Sequence, residues 1–330
     1  MNELLSVRGL RIRMPGPHGP MTIVDGVDFD VSSGEVLGIA GESGSGKTMT
    51  VLALLGLIPP NAVVTGTATF GGRDLLSLDR RQLQQVRGRE VGVVFQDPMT
   101  TLHPMVSIER QLTEHMRRHL DLGRRVARVR AISLLEEVRI PNARRAIEAH
   151  PHQFSGGMRQ RIVIAMALAC EPKLLIADEP TTALDVTVQA GILRLLDQIR
   201  RDRGMAVILV THDLGVMSSL ANRLAVFYAG RVVEMGPVKP LLQDPQHPYT
   251  KNLLMALPHP QQRGQPLQPI PGTAATPDAR PPGCAFHPRC QYAEESCSIK
   301  VPSLMPVSDT RLSACPVAPF AGRALLGVEG

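Results

Sequence analysis

Short apolar, β-branched runs alternate with helical patterns along this chain: "EVLGIAG" then "KTMTVLALLGL", "VGVVFQ", "KLLIADE" then "VTVQAGILRLLDQIRR", and "AVILVTHD". That alternation predicts a parallel α/β sheet covered by helices. Between Pro98 and His152 the strands disappear. There "VSIERQLTEHMRRHL" and "RVARVRAISLLEEVRI" carry apolar positions three and four apart, which predicts an inserted helical subdomain over about 98–157. From Pro237 onward the composition shifts to Pro, Gln and His, and little regular structure is expected up to residue 330. No internal repeat is visible. The longest apolar runs, "VLALLGLI" and "IVIAMALAC", fall far short of the roughly 20 residues that span a bilayer.

Composition narrows this picture only a little. At 330 residues the chain holds one large or two modest domains. An aromatic content of 3% with no Trp argues against a base-stacking nucleic-acid binder. The net charge of +6 comes largely from arginine, in clusters such as "RRVARVR" and "RRDR" that read as solvated helix faces or a patch near anionic lipid heads. The start "MNELLSVRGLRIRM" has no cleavable signal pattern, so a cytoplasmic, non-spanning chain is expected. Cysteines there are reduced, and the closely spaced thiols of "PPGCAFHPRCQYAEESC" (281–297) invite a metal.

The chemistry is concentrated in two stretches. "GESGSGKT", Gly41 to Thr48, follows an apolar strand and opens an apolar helix, the context of a phosphate-binding P-loop. Gly41, Glu42, Ser43, Gly44, Ser45 and Gly46 would curl their N–H groups toward phosphate oxygens, Lys47 would reach the β- and γ-phosphates, and the Thr48 hydroxyl would be a ligand of Mg²⁺. "LLIADE" ends a second apolar strand in two acids. Asp178 would hold Mg²⁺ through water, and Glu179 would act as general base on the attacking water, a role worth roughly 10²- to 10⁴-fold in rate.

"FSGGMRQR" (154–161) has no role in a generic P-loop ATPase. With the P-loop, "FQDP" at Gln96, "LLIADEP", "ALD" (183–185) and "THD" (211–213), the chain resembles ATP-binding cassette (ABC) proteins. The resemblance implies an α/β P-loop NTPase of the ABC type over 1–236, with the helical insertion, followed by an irregular, cysteine-containing extension over 237–330. It also implies that Gln96 senses the γ-phosphate, Mg²⁺ and water and links the site to a membrane partner, and that His212 contacts the γ-phosphate. Ser155, Gly156, Gly157 and Met158 open a helix that can serve as an anion site but cannot fold back onto its own P-loop. In the family that helix meets the ATP of a second cassette, identical or not, and Asp185 lies in the D-loop between the two. One departure is the adenine site: Met14 stands where the family usually has an aromatic residue, so weaker discrimination of adenine is expected.

"FQDPMTTLHP", "HPHQFSGGMRQRIVIAMALACEPKLLIADEPTTALDVTVQA" and "DPQHPYTKNLLMALP" narrow the resemblance to the ATPases of bacterial dipeptide, oligopeptide and nickel importers. It implies two transmembrane permeases, an extracytoplasmic solute-binding protein, no nucleic acid, and a peripheral position on the cytoplasmic face of the inner membrane. Import of nickel, a glutathione-like peptide or a sugar is the near alternative. A soluble ABC ATPase acting on DNA or ribosomes is the distant one. The resemblance further implies a [4Fe-4S] cluster on Cys284, Cys290, Cys297 and Cys315. Zinc is the alternative, although none of the gaps has the two to four residues usual within a zinc pair. Unliganded thiols are the third reading. Cys170, in an apolar helix, reads as a small core residue.

Overall fold

The computed structural model describes residues 3–17, 19–181, 184–256 and 269–317. Ala183 of "ALD" and residues 257–268 and 318–330 of the extension lie outside the described residues. The chain divides into two compact units. The first is built from Val31–Val36 and Ser77–Val210 with the residues up to Leu4; the second from Leu5–Asp30, Leu37–Leu76 and the residues from Thr211 on.

In the first unit the strands Val91–Val94, Leu174–Asp178 and Ala206–Val210 run parallel, with Val91 opposite Leu174 and Leu174 opposite Ala206. Every residue of the last two strands is buried, as an uninterrupted apolar run requires when both faces are covered. The helix Gly156–Leu168 lies close to this sheet: a Cβ on Gly92 would stand 2.5 Å from the Ala167 carbonyl. Between the first two strands lie the helices Pro98–Thr101, Ile108–His119, Arg124–Glu137 and Ala143–Ala146. The third of these buries Ala127, Ala131, Leu134 and Leu135, one stripe at helical spacing. Two of its arginines are engaged inside the unit. Arg128 pairs with both Glu109 and Glu148, and Arg130 with Glu171 at 2.9 Å. In "RRDR", Arg200 pairs with Asp197 at 2.8 Å and Arg203 with Glu137 at 2.5 Å.

The second unit carries a four-stranded sheet in the order Gly19–Ser32, Glu3–Gly16, Val63–Phe70, Arg73–Asp74. It also contains Val36–Ala40 running parallel to Arg223–Tyr228, which pairs antiparallel with Arg231–Pro237. The tail departs from the expectation of little regular structure. It forms the helices Val238–Gln243, Pro248–Met255 and Glu295–Ile299, and a hairpin, Met305–Ser308 with Arg311–Ser313, that adds to the edge of Arg231–Pro237. Its prolines do not act as breakers throughout: Pro248 sits in the first turn of its helix, where the missing N–H costs nothing. The Glu234 carboxylate, fully buried, accepts the N–H groups of Gln246 and His247 at 2.8 and 3.0 Å and ties the tail to the strand.

Candidate functional site

The phosphate loop belongs to the second unit. The wholly buried strand Val36–Ala40 ends at Gly41, and the helix Lys47–Leu54 begins six residues later. Two glycines are sterically obligatory. A Cβ on Gly41 (φ +149°) would sit 2.2 Å from the Phe227 carbonyl oxygen, and Gly46 (φ +97°) turns the chain into the helix. The Ser45 carbonyl accepts the N–H of Gly230 at 2.9 Å. Lys47 is buried, and its Nζ donates to the carbonyls of Gly41 and Glu42, both at 2.8 Å. Ser43, Gly44 and Thr48 are exposed. The loop thus brings a basic side chain and the first turn of a helix together, a ready anion site. The same unit holds Met14, half-buried on Glu3–Gly16, and His212, exposed between Thr211 and Asp213. The Thr211 N–H donates to the Ile39 carbonyl at 3.2 Å, and Asp213 caps the helix Leu214–Leu220, so the backbone around His212 is held on both sides.

The first unit holds the acidic half of the predicted residues. Asp178 ends its strand at 6% exposure. Glu179 follows in the left-handed region (φ +46°), with its N–H bound to the Val210 carbonyl at 2.8 Å. A non-glycine residue held there marks a backbone that its surroundings over-determine. Gln96 donates Nε2 to the Glu179 carboxylate at 3.0 Å, a partnership that the linear sequence did not reveal. Ser155 caps the helix Gly156–Leu168 by accepting from the Met158 N–H at 3.4 Å, and Asp185 caps Val186–Arg203 by accepting from Val188 at 2.9 Å. A Cβ on Gly157 would meet Val188 at 2.6 Å, so these two helix starts abut. Ser155, Gly156 and Asp185 are exposed there.

The expected [4Fe-4S] cluster, and zinc with it, is not supported. Cys284, Cys290, Cys297 and Cys315 all line one cavity of about 560 Å³ in the tail, and none forms a disulfide. Yet among the described residues no group of three or more His, Cys, Asp or Glu side chains is arranged to hold a metal ion. The reason is geometric: sharing a cavity does not bring three such side chains to one point within reach of an ion. As free thiols, Cys284, Cys290 and Cys315 are pushed upward by burial, Cys315 to about 11. The metal-binding expectation is therefore withdrawn, and the tail is ordered by hydrogen bonds such as Cys284 N–H to the Cys297 carbonyl at 2.8 Å. Cys170 is buried in the core as expected.

Sequence reasoning also missed Arg289 and Tyr249, both of which bind Glu42 of the phosphate loop. The one signal was scarcity. The chain has three tyrosines, and two of them, Tyr228 and Tyr249, pack against each other and against Phe286 with ring centroids 4.6 to 5.4 Å apart.

Two family models match the sequence. Residues 24–182 match the family model described as ABC transporter, and 233–297 that of the oligopeptide/dipeptide transporter C-terminal region. The oligopeptide transport ATP-binding protein OppD of Salmonella typhimurium is 45% identical over 95% of this chain and 93% of its own length. A putative peptide import ATP-binding protein of Brucella melitensis is 48% identical over 95% and 94%. The dipeptide transport ATP-binding protein DppD of Bacillus subtilis is 44% identical over 96% and 95%. Among solved structures, the dimeric ATP-binding cassette MJ0796 bound to ADP and Pi is similar with a TM-score of 0.64 at 26% identity, covering 72% of this chain and 99% of that one. The protein cbiO1 of Clostridium perfringens, part of the transporter complex cbiONQ, is similar with a TM-score of 0.63 at 26% identity, covering 73% and 91%.

Proposed function

The chain belongs to the ATP-binding proteins of the peptide-import branch of the ABC transporters, and from that premise we propose the following division of labour among its residues. It is an ABC-type ATPase that energises import of dipeptides or oligopeptides. Lys47 and the backbone of Gly41–Thr48 hold the phosphates of ATP, Glu179 takes the proton of the attacking water, and His212 contacts the γ-phosphate. Ser155 to Met158 and Asp185, at two abutting helix starts where Ser155, Gly156 and Asp185 are exposed, face a second cassette. The relatives named for peptide transport favour this reading over a nickel, glutathione or sugar importer, and over a soluble ATPase acting on DNA or ribosomes.

The observation that carries the mechanism is the hydrogen bond from Gln96 to Glu179. It joins the candidate base to the loop that enters the helices from Pro98 onward, so a shift of that loop moves the base. The residues expected to hold Mg²⁺ are all hard oxygen donors, each within its own unit: Thr48 offers a hydroxyl in the second, and Asp178 a carboxylate and Gln96 an amide oxygen in the first. When bound, the ion would neutralise charge on the β- and γ-phosphates. This chain's own residues hold the phosphates, orient the water and accept its proton.

The permeases would dock on the first unit at a cavity of about 610 Å³ lined by residues including His103, Arg110, Gln111, His115 and His119 of the helical insertion. No helix among the described residues is long and apolar enough to cross a membrane. A peripheral place on the cytoplasmic face, beneath two permeases fed by a solute-binding protein, is the assembly proposed. Glu179→Gln tests the centre of this reading. Its amide oxygen can still accept from Gln96, so ATP binding should persist while hydrolysis falls by about 10²- to 10⁴-fold and the cassette dimer accumulates. Brisk turnover by the variant would refute the base assignment.

A further inference from the structure

A carboxylate is an awkward neighbour for a triphosphate, yet Glu42 stands second in the phosphate loop. Its partner comes from 247 residues along the chain. Arg289 grips the Glu42 carboxylate as a fork, with one terminal nitrogen at 2.7 Å and the other at 3.0 Å. The arginine side chain is 5% exposed and the glutamate 25%. Arg289 is itself braced: its Nε donates to the Pro271 carbonyl at 2.8 Å, and one terminal nitrogen also donates to the Tyr228 hydroxyl at 3.3 Å. The backbone of Glu42 is held as well. Its N–H donates to the hydroxyl of the fully buried Tyr249 at 2.8 Å, and its carbonyl accepts from Lys47 Nζ. Glu42 is therefore fixed at three points. Two of the three holders belong to the tail, and the third is the lysine assigned to the phosphates.

We propose that Arg289, supported by Tyr249, is a positioning residue for the nucleotide loop: it neutralises Glu42 and fixes the backbone against which Lys47 is braced, so that the tail sets the affinity for the phosphate chain of ATP. The proposal rests on Gly41–Thr48 being the ATP cradle. Without Arg289 a largely buried carboxylate is left unpaired beside an anion site, and its backbone loses the side-chain anchor that holds Lys47 in register. The forked geometry matters as much as the charge, because two parallel hydrogen bonds fix orientation where a point charge does not. Arg289 reaches the loop and leaves the hydrogen bond between Gln96 and Glu179 untouched. The loss should therefore fall on KM and nucleotide Kd rather than on kcat, and equally for ATP and GTP, since the base is not involved.

The test uses the full chain, a fluorescent ATP analogue in an equilibrium titration, and thermal unfolding of every variant. Arg289→Ala should raise Kd about tenfold, within the range of coupling between linked sites. Arg289→Lys should recover part of that loss, and serves in its place should the alanine variant not fold. In a Glu42→Gln background the same Arg289→Ala change should cost less than about threefold, because the charge it compensates has gone. An Arg289→Ala protein that melts lower yet binds within about twofold of the parent makes the contact a tail anchor only and overturns the proposal. Additive effects of the two substitutions on Kd overturn it equally. Lys47→Ala separates the levels. If it abolishes binding while Arg289→Ala does not weaken it, this proposal alone fails; if Lys47→Ala leaves binding intact, the cradle reading fails and carries the proposal with it.

Discussion

Acid should loosen the tail through a single histidine. His247 is 1% exposed, its Nδ1 accepts the Tyr249 N–H at 3.1 Å, and its own N–H is donated to the Glu234 carboxylate. A proton on Nδ1 would end the cap of the helix Pro248–Met255 and place a charge in an apolar site. Burial accordingly pushes the pKa of His247 from 6.5 down to about 3. The sign follows from linkage: below pH 6.5 the unfolded chain takes a proton that the native state refuses until pH 3, so stability falls with pH across that window and is flat above it. Each pH unit is worth about 1.4 kcal/mol, which gives a loss of about 2 kcal/mol at pH 5 relative to pH 8. Glu234, pushed upward by burial, titrates in the opposite sense, since its native carboxyl keeps a proton that the unfolded chain gives up. Arg311 stands 3.3 Å from Glu234. The comparison that isolates the histidine is therefore with His247→Asn, which can still cap Tyr249 but does not titrate. The chain has no Trp, and Tyr228 and Tyr249 lie in this region, so tyrosine fluorescence in a urea titration reports the tail directly. From pH 8 to pH 5 the variant should gain about 2 kcal/mol relative to the parent. Parallel pH profiles would mean that the native imidazole takes up the proton after all, and the burial argument would be wrong.

Four further substitutions probe the loop, the acidic half of the site and the expected adenine contact. Gly41→Ala drives a methyl group to within 2.2 Å of the Phe227 carbonyl on a buried strand and should cost at least about 1–3 kcal/mol of stability together with nucleotide binding, measured by thermal unfolding and titration. Gly44→Ala, with open space at its Cβ, should cost only the left-handed backbone strain of about 1 kcal/mol. Gln96→Ala removes the hydrogen bond to Glu179 and should lower kcat by about tenfold or more with little change in nucleotide Kd; an unchanged kcat would detach Gln96 from the base. Met14→Tyr should raise the preference for ATP over GTP, base stacking being worth about 1–3 kcal/mol, and equal preference in both proteins would remove Met14 from the base site.

The parts of the fold that were legible are those whose order is local. "KLLIAD" and "AVILV" read as strands because burial on both faces leaves an unbroken apolar run, and the helix Arg124–Glu137 read as one because its buried alanines and leucines repeat at helical spacing. The tail was not legible, because its order is imposed over distance. The start of its helix Pro248–Met255 is anchored by Glu234, which reads as an ordinary acid in "VVEMG", and its hairpin exists by pairing with the edge of Arg231–Pro237. The partnership of Gln96 with Glu179 joins residues 83 apart in sequence and depends on the left-handed turn at Glu179, which no local pattern announces. The four cysteines show the opposite error. Their closeness along the chain invited a metal and the family resemblance supplied the ligand set, but thiols that share a cavity are not thereby arranged around an ion.

The tail is consequently a poor candidate for deletion, although the composition shift at Pro237 invites a cut there. The residues from Thr211 on belong to the same compact unit as the phosphate loop. Removing everything after Pro237 would strip the Glu234 carboxylate of Gln246, His247 and Arg311, and Glu42 of the partners for its N–H and its carboxylate. Each hydrogen bond so lost is worth about 0.5–1.5 kcal/mol, and more to a charged group, against a total stability of about 5–15 kcal/mol for a typical domain. A truncated chain would thus lose nucleotide binding through a damaged loop whatever the tail does for transport. Only point substitutions at Arg289 and Tyr249, which leave Glu234 and its partners in place, can separate the two roles.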